Sequence, residues 1–269
     1  MSTPTVPLAV DVPPAAAPRR PRGRAALAVL AVLVVAAAGV DVLGDVTATR
    51  TATTEVFDGP VRQVRAEGGT GDVRVTAADV ARVQVRALVH EGWTDAGASA
   101  ALADGVLRLD SSCESGWWSP CEVSWEVEVP EGVDLALRTG TGDQKLSGRF
   151  GRVGADVGTG DVEASGADAD EVDVRAGTGD VELGGAYREV RVRTGTGDVE
   201  VDVVQPPDSV ELTTGTGDVD LQLPDVEGGY AAGATSSFGD VVLDLPVDDD
   251  SPRAVRVTAS TGDVEVLTR

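Results

Sequence analysis

Residues 171–186 read EVDVRAGTGDVELGGA, and the alternation on either side of the glycines decides the architecture. Val172, Val174 and Ala176 alternate with Asp173 and Arg175, the period of a strand with one dry face. After the turn, Val181 and Leu183 alternate with Asp180, Glu182 and Gly184, giving a second short strand. The glycines flanking Thr178 permit the positive φ of a sharp corner, and Asp180 is the residue type that accepts hydrogen bonds from turn N–H groups.

The same corner is written again and again. Its aspartates are Asp143, Asp161, Asp180, Asp198, Asp218, Asp240 and Asp263, spaced 18, 19, 18, 20, 22 and 23 residues apart, and an earlier copy ends at Asp72. A period near 20 means that one unit cannot bury its own apolar face and must stack on its neighbours. Two short strands per period fit one coil of a β-solenoid, whereas a propeller blade needs four strands in about 40–45 residues. A meander or sandwich of hairpins is the alternative. The expected fold is therefore all-β, a single-stranded β-helix of stacked coils of ~18–23 residues, with an elaborated N-terminal capping module and one preceding transmembrane helix. Corner threonines and aspartates would each form a ladder with steps of about 4.8 Å.

Charge divides the chain. Residues 1–24 hold Arg19, Arg20, Arg22 and Arg24 against Asp11, with Pro and Ala between them, and read as a disordered basic cytoplasmic tail. The remainder carries 18 basic and 44 acidic side chains, a net of −26. Between them, residues 25–43 are almost wholly Ala, Val and Leu, long enough to span a bilayer as a signal anchor. The arginines on its N-terminal side place that end in the cytoplasm and the repeats outside. The competing reading is a signal peptide cleaved after Ala36-Ala-Ala38, which would leave a secreted protein. Residues 44–54 read as a linker, and 55–269 as one β-repeat domain, divided into an elaborated first module (55–138) and regular repeats (139–269).

The first module holds both cysteines and all four tryptophans. In an exported domain Cys113 and Cys121 are most simply a disulfide, here closing the tip of a hairpin between strands at Leu107–Leu109 and Val123–Val129. Trp117 and Trp118 lie in that tip, either as packing residues or as a recognition loop, while Trp125 alternates with Val123 and Val127 as a core residue. Ala96 to Ala103 is alanine-rich and reads as a helical turn or two. A solenoid needs covered ends, and the C-terminal end looks the barer, because the chain stops at Arg269 just after Val264-Glu-Val-Leu267. A coil interior two side chains wide suits Val and Thr and leaves little room for aromatic rings.

The aspartate ladder has three readings: turn capping, calcium binding, or paired carboxylates that hydrolyse a glycan. Its uniform repetition favours capping, since an active site would make one pair unlike the rest. His90 is the single histidine, so a metal centre lacks the usual ligands and a proton shuttle lacks its residue. The glycine turns join strand to strand and offer no helix N-terminus to a nucleotide or phosphate. A body at −26 repels nucleic acid. These features lead to no expected cofactor and no enzyme activity.

A basic N-terminus, one hydrophobic segment, Val129-Pro-Glu-Gly-Val133 and the Gly-Asp-Val units at Gly160–Val162, Gly179–Val181, Gly197–Val199, Gly217–Val219, Gly239–Val241 and Gly262–Val264 resemble the bacterial adhesin-like β-strand-repeat family, a domain of unknown function. Gly142-Asp-Gln144 departs from the pattern by lacking the Val. The resemblance covers Glu55 to Arg269. It implies a stacked β-helix-like fold in a cell-envelope protein with an adhesin-like or stress-response role, and it brings no catalytic residues. The expected partners are the membrane, through the N-terminal helix, and a cell-wall glycan or envelope protein.

Overall fold

The chain folds back and forth between two facing sheets, crossing at every Gly-Asp corner. A computed structural model describes residues 49–91, 96–113 and 121–269, without the side chains of Thr49, Glu91 and Cys113. The expected basic tail and apolar span (1–24 and 25–43) lie outside the described residues. Among the described residues no helix is long and apolar enough to cross a membrane.

The first module contains β1 (Thr49–Phe57), β2 (Gln63–Thr70), β3 (Val73–Ala78), β4 (Val83–Glu91), β5 (Ala96–Ala103), β6 (Val106–Cys113) and β7 (Cys121–Pro130). Regular coils follow as pairs: β8 (Asp134–Thr141) with β9 (Gln144–Arg149), and β10 (Arg152–Thr159) with β11 (Val162–Ser165). Next come β12 (Ala167–Thr178) with β13 (Val181–Gly185), and β14 (Tyr187–Thr196) with β15 (Val199–Val203). The last are β16 (Ser209–Thr216) with β17 (Val219–Leu223), β18 (Ala231–Phe238) with β19 (Val241–Asp244), and β20 (Ala254–Thr261) with β21 (Val264–Thr268).

Within each sheet the regular strands are parallel and in register, Val172 beside Val190 and Val181 beside Val199. Side chains alternate between inside and outside, and Val174, Val192, Leu212, Val201 and Leu221 are buried in the seam between the sheets. Each such side chain stabilises the fold by about 1.5–3 kcal/mol through burial. No coil could hold these residues dry alone.

Coils do not stack in chain order. β2 lies between β6 and β8, and β3 between β7 and β9, so the early corner at Gly68–Asp72 joins the same ladder as the later ones. At the other end β20 lies between β16 and β18, and β21 between β17 and β19. The chain terminus is thus inside the stack, not at its bare end. Arg269 bonds back to Asp202, and its backbone N–H to the Leu223 carbonyl at 3.1 Å. The exposed end coil is β18–β19, because residues 254–268 carry the fully apolar inward pattern that a covered position demands.

Three local expectations change. Ala96–Ala103 is strand β5, not helix, and pairs antiparallel with β6 through an Asp104-Gly105 turn at φ 52° and 77°. A two-residue Asp-Gly turn of this kind nucleates a hairpin, whereas an eight-residue helix is marginal without one. β6 and β7 do not form a hairpin either. β6 pairs with β2 and β5, and β7 with β3 and β4 in the opposite sheet. Finally, Thr49–Thr54 of the expected linker belongs to β1, which pairs antiparallel with β4.

Aromatic rings do enter the interior. Trp125, Phe150, Tyr187 and Tyr230 are buried. Phe150, Tyr187 and Tyr230 sit at the bend opposite the glycine corner, where the backbone turns more widely. The Tyr187 hydroxyl donates to the Ala164 carbonyl at 3.1 Å, and burial pushes its phenol well above the ordinary range.

The glycine corner is tight for a definite reason. Gly217 has φ +140°, and a Cβ added there would lie 2.1 Å from the Gly197 carbonyl oxygen of the adjacent coil. Gly217→Ala is expected to destabilise by about 2–4 kcal/mol, through strain plus backbone overlap. Gly69→Ala meets nothing within 4 Å and should leave thermal unfolding nearly unchanged. Equal melting shifts for the two would contradict this packing.

Candidate functional site

The corner aspartates form a hydrogen-bond chain along the whole stack. The Asp143 N–H donates to Asp72 Oδ1 at 2.9 Å, Asp161 to Asp143 at 3.0 Å, and Asp180 to Asp161 at 2.8 Å. The chain continues at 2.8 Å from Asp198 to Asp180, Asp218 to Asp198, Asp263 to Asp218 and Asp240 to Asp263. The capping expectation was thus right in kind but local in scope. Each carboxylate caps the corner of the next coil rather than its own.

The ladder has two unlike ends. Asp72 donates its N–H to Ser124 Oγ at 3.0 Å, and that hydroxyl donates to Glu122 at 3.1 Å, so a serine replaces the missing aspartate. At the far end Asp240 donates, but its own carboxylate accepts nothing among the described residues. Gln144, the departure noted in the repeat, is fully buried and bonds Thr139 Oγ1 at 3.1 Å and the Asp156 carbonyl at 3.2 Å. Among the described residues no group of three or more His, Cys, Asp or Glu converges to hold a metal ion.

Beside the first corner the outer face of the sheet is hollowed into a groove of about 430 Å³. It is lined by Arg50, His90, Glu122, Arg74, Lys145 and Trp125, from β1, β4, β7, β3 and β9. Arg74 pairs with Glu126 at 3.5 Å, and Arg86 reaches the same carboxylate at 3.0 Å. Lys145 pairs with Glu163, and that bond holds its ammonium above the usual range. Arg50 and His90 have no ion pair or side-chain hydrogen bond among the described residues. The Trp125 indole N–H is buried and unpartnered. Arg50 and His90 therefore give the groove two donors with no protein acceptor, while the Trp125 indole N–H lies on the core side of β7.

Of these groove residues the sequence singles out Trp125 as a strand residue and His90 as the single histidine, but not their grouping, because β1, β4, β7, β3 and β9 are neighbours in an order the chain does not follow. Trp117 and Trp118 lie outside the described residues. Cys121 opens β7, while the Cys113 side chain lies outside the described residues. Cys113 is the last residue of β6, and Cys121 the first of the groove strand β7.

Stacked coils with a lateral aspartate ladder define this protein as a β-solenoid. The chain belongs to the Toastrack DUF4097 family, which it matches over residues 108–267. That match lies within the stretch that carries the adhesin-like resemblance. No curated protein matches the chain. Among solved structures it is similar to a "putative cell adhesion protein" from Clostridium sporogenes, at 13% identity over 82% of this chain and 100% of that one, with a TM-score of 0.37. A "putative adhesin" from Bacteroides fragilis is 13% identical over 81% and 97%, with a TM-score of 0.44. A "putative lipid binding protein" from Parabacteroides distasonis is 10% identical over 81% and 97%, with a TM-score of 0.36.

The ladder predicts unequal aspartates. Asp198→Ala strips the Asp218 N–H of its acceptor and should cost about 1–2 kcal/mol in thermal or denaturant unfolding. Asp240→Ala removes no neighbour's partner and should stay within about 0.5 kcal/mol of the parent. Equal losses would mean that the aspartates act only within their own turns.

Proposed function

We propose that this chain is a non-catalytic, extracytoplasmic binding module of the bacterial envelope, held to the membrane through residues 25–43 with its N-terminus in the cytoplasm. The observation that carries the reading is that the ladder spends its carboxylates alike on backbone N–H groups, coil after coil, and so serves as scaffold. The chemistry unlike the rest is gathered in the groove of the first module. Its unpartnered donors suit a ligand rich in oxygen acceptors, such as a cell-wall glycan or the polar face of an envelope protein. A Cys113–Cys121 bond and a recognition role for Trp117 and Trp118 belong to the same reading.

The test is sedimentation of the full chain, in detergent, with purified cell-wall glycan. Joint Arg50→Ala and His90→Ala substitution should weaken binding roughly thirtyfold or more, the order expected for losing a charged and a neutral hydrogen bond. Glu200→Ala, mid-stack on the same outer face, should leave it unchanged. Binding indifferent to the groove variants would overturn the assignment, and release of soluble sugar fragments would establish the glycan-cleaving alternative. Protease applied to wall-stripped cells should leave a small membrane-bound stub, whereas a mature chain beginning near Gly39 would show cleavage.

A further inference from the structure

The coil at the exposed end of the stack differs from every coil beneath it. Across the outer face of one sheet, register neighbours run Arg74, Lys145, Glu163, Glu182, Glu200, Asp220 and Glu265, and then Val242. On the other sheet Arg191, Glu211 and Arg256 are followed by Gly233. The corner row of threonines, from Thr141 to Thr261, ends in Phe238. Charge and hydroxyl are lost together, at the coil that ends the parallel stack among the described residues. Phe238 is 76% exposed, Val241 42%, Val242 48% and Leu243 39%.

A bare strand edge is a template for another strand, and proteins ordinarily blunt it with charge or proline on the edge itself. Here the charge stands at the two ends of the strand. The edge reads Asp240-Val-Val-Leu-Asp244, three exposed apolar residues between two carboxylates, followed by Asp248, Asp249 and Asp250. Neither the Asp240 nor the Asp244 carboxylate has a partner among the described residues. The surroundings reinforce their sign: between Arg193 and Arg253 the chain has fourteen Asp and Glu and no Lys or Arg.

That field selects the occupant. A second copy offering the same edge would bring like charges opposite one another, which is destabilising. At the far end of the stack β1 carries one arginine and one glutamate, Arg50 and Glu55, and does not supply the complementary pattern. We propose that the β19 edge is a docking site for an extended strand of a partner protein, in which apolar β-forming residues are bracketed by Lys or Arg. The strand adds in register to β19, extends the sheet by one rung, covers Val241 and Leu243, and sets its cations against Asp240 and Asp244. Main-chain hydrogen bonds provide affinity and the bracketing charges provide selectivity, as in other cases of strand addition.

The experiment uses the full chain in detergent and fluorescently labelled short peptides. One has a Lys-Val-Ile-Val-Lys centre, and a second has an Asp-Val-Ile-Val-Asp centre. Polarisation should show saturable binding of the lysine peptide, about tenfold tighter than the aspartate peptide at low salt, with the difference shrinking as salt rises. Joint Asp240→Asn and Asp244→Asn should remove that preference while leaving the melting temperature unchanged. Val242→Lys should weaken the lysine peptide similarly, and Glu265→Gln, one coil inward, should not. Equal binding of the two peptides, or no binding of either, would overturn the proposal. So would spontaneous disulfide dimers of a Val242→Cys chain in native membranes, because they would put a second copy on the edge.

Discussion

Each coil leans on its neighbour through one repeated contact, an aspartate oxygen accepting the backbone N–H of the next corner at 2.8–3.0 Å. That contact requires the corners to approach closely, and so requires glycine: at Gly179, Gly197 and Gly217 an added Cβ would fall 2.0–2.1 Å from the adjacent carbonyl oxygen. The alternating strands are in register because the corners are. One-residue slippage would turn every buried valine outward. The Gly-Thr-Gly-Asp sequence is thus less a turn that reverses the chain than a joint that locks one coil to the next.

Much of this is legible in the sequence. Alternation around Thr178 announced two strands per unit, and the aspartate spacing announced stacking. What could not be read was the order of stacking. Residues 231–244 and 254–268 are both Gly-Asp coils, and only the pairing of β20 with both β16 and β18 shows which one is covered. A signal was nonetheless present. Phe238, Gly233 and Val242 break the threonine and charge rows, and such a break belongs where no further coil follows. The groove was hidden for the same reason, since Arg50, His90 and Lys145 are brought together by strand order rather than by spacing. At Ala96–Ala103 the alanine-rich composition points to helix, but the Asp104-Gly105 turn governs the segment and makes it a strand.

The two ends of the stack are chemically unlike. One is broadened by antiparallel strands β1 and β5 and carries the groove with its unpartnered donors. The other is a plain coil edge, apolar between carboxylates and set in a strongly acidic region. A uniform ladder separates these two surfaces. Selection can then act on either end without disturbing the repeats, because each coil touches only its neighbours.

The ladder itself is tested most directly by residue-resolved hydrogen exchange. These corner amides lie at the protein surface, where an unbonded N–H exchanges quickly. The account predicts strong, similar protection of the N–H groups of Asp143, Asp161, Asp180, Asp198, Asp218, Asp263 and Asp240. Rapid exchange at these seven, with protection confined to the buried strand centres, would contradict it.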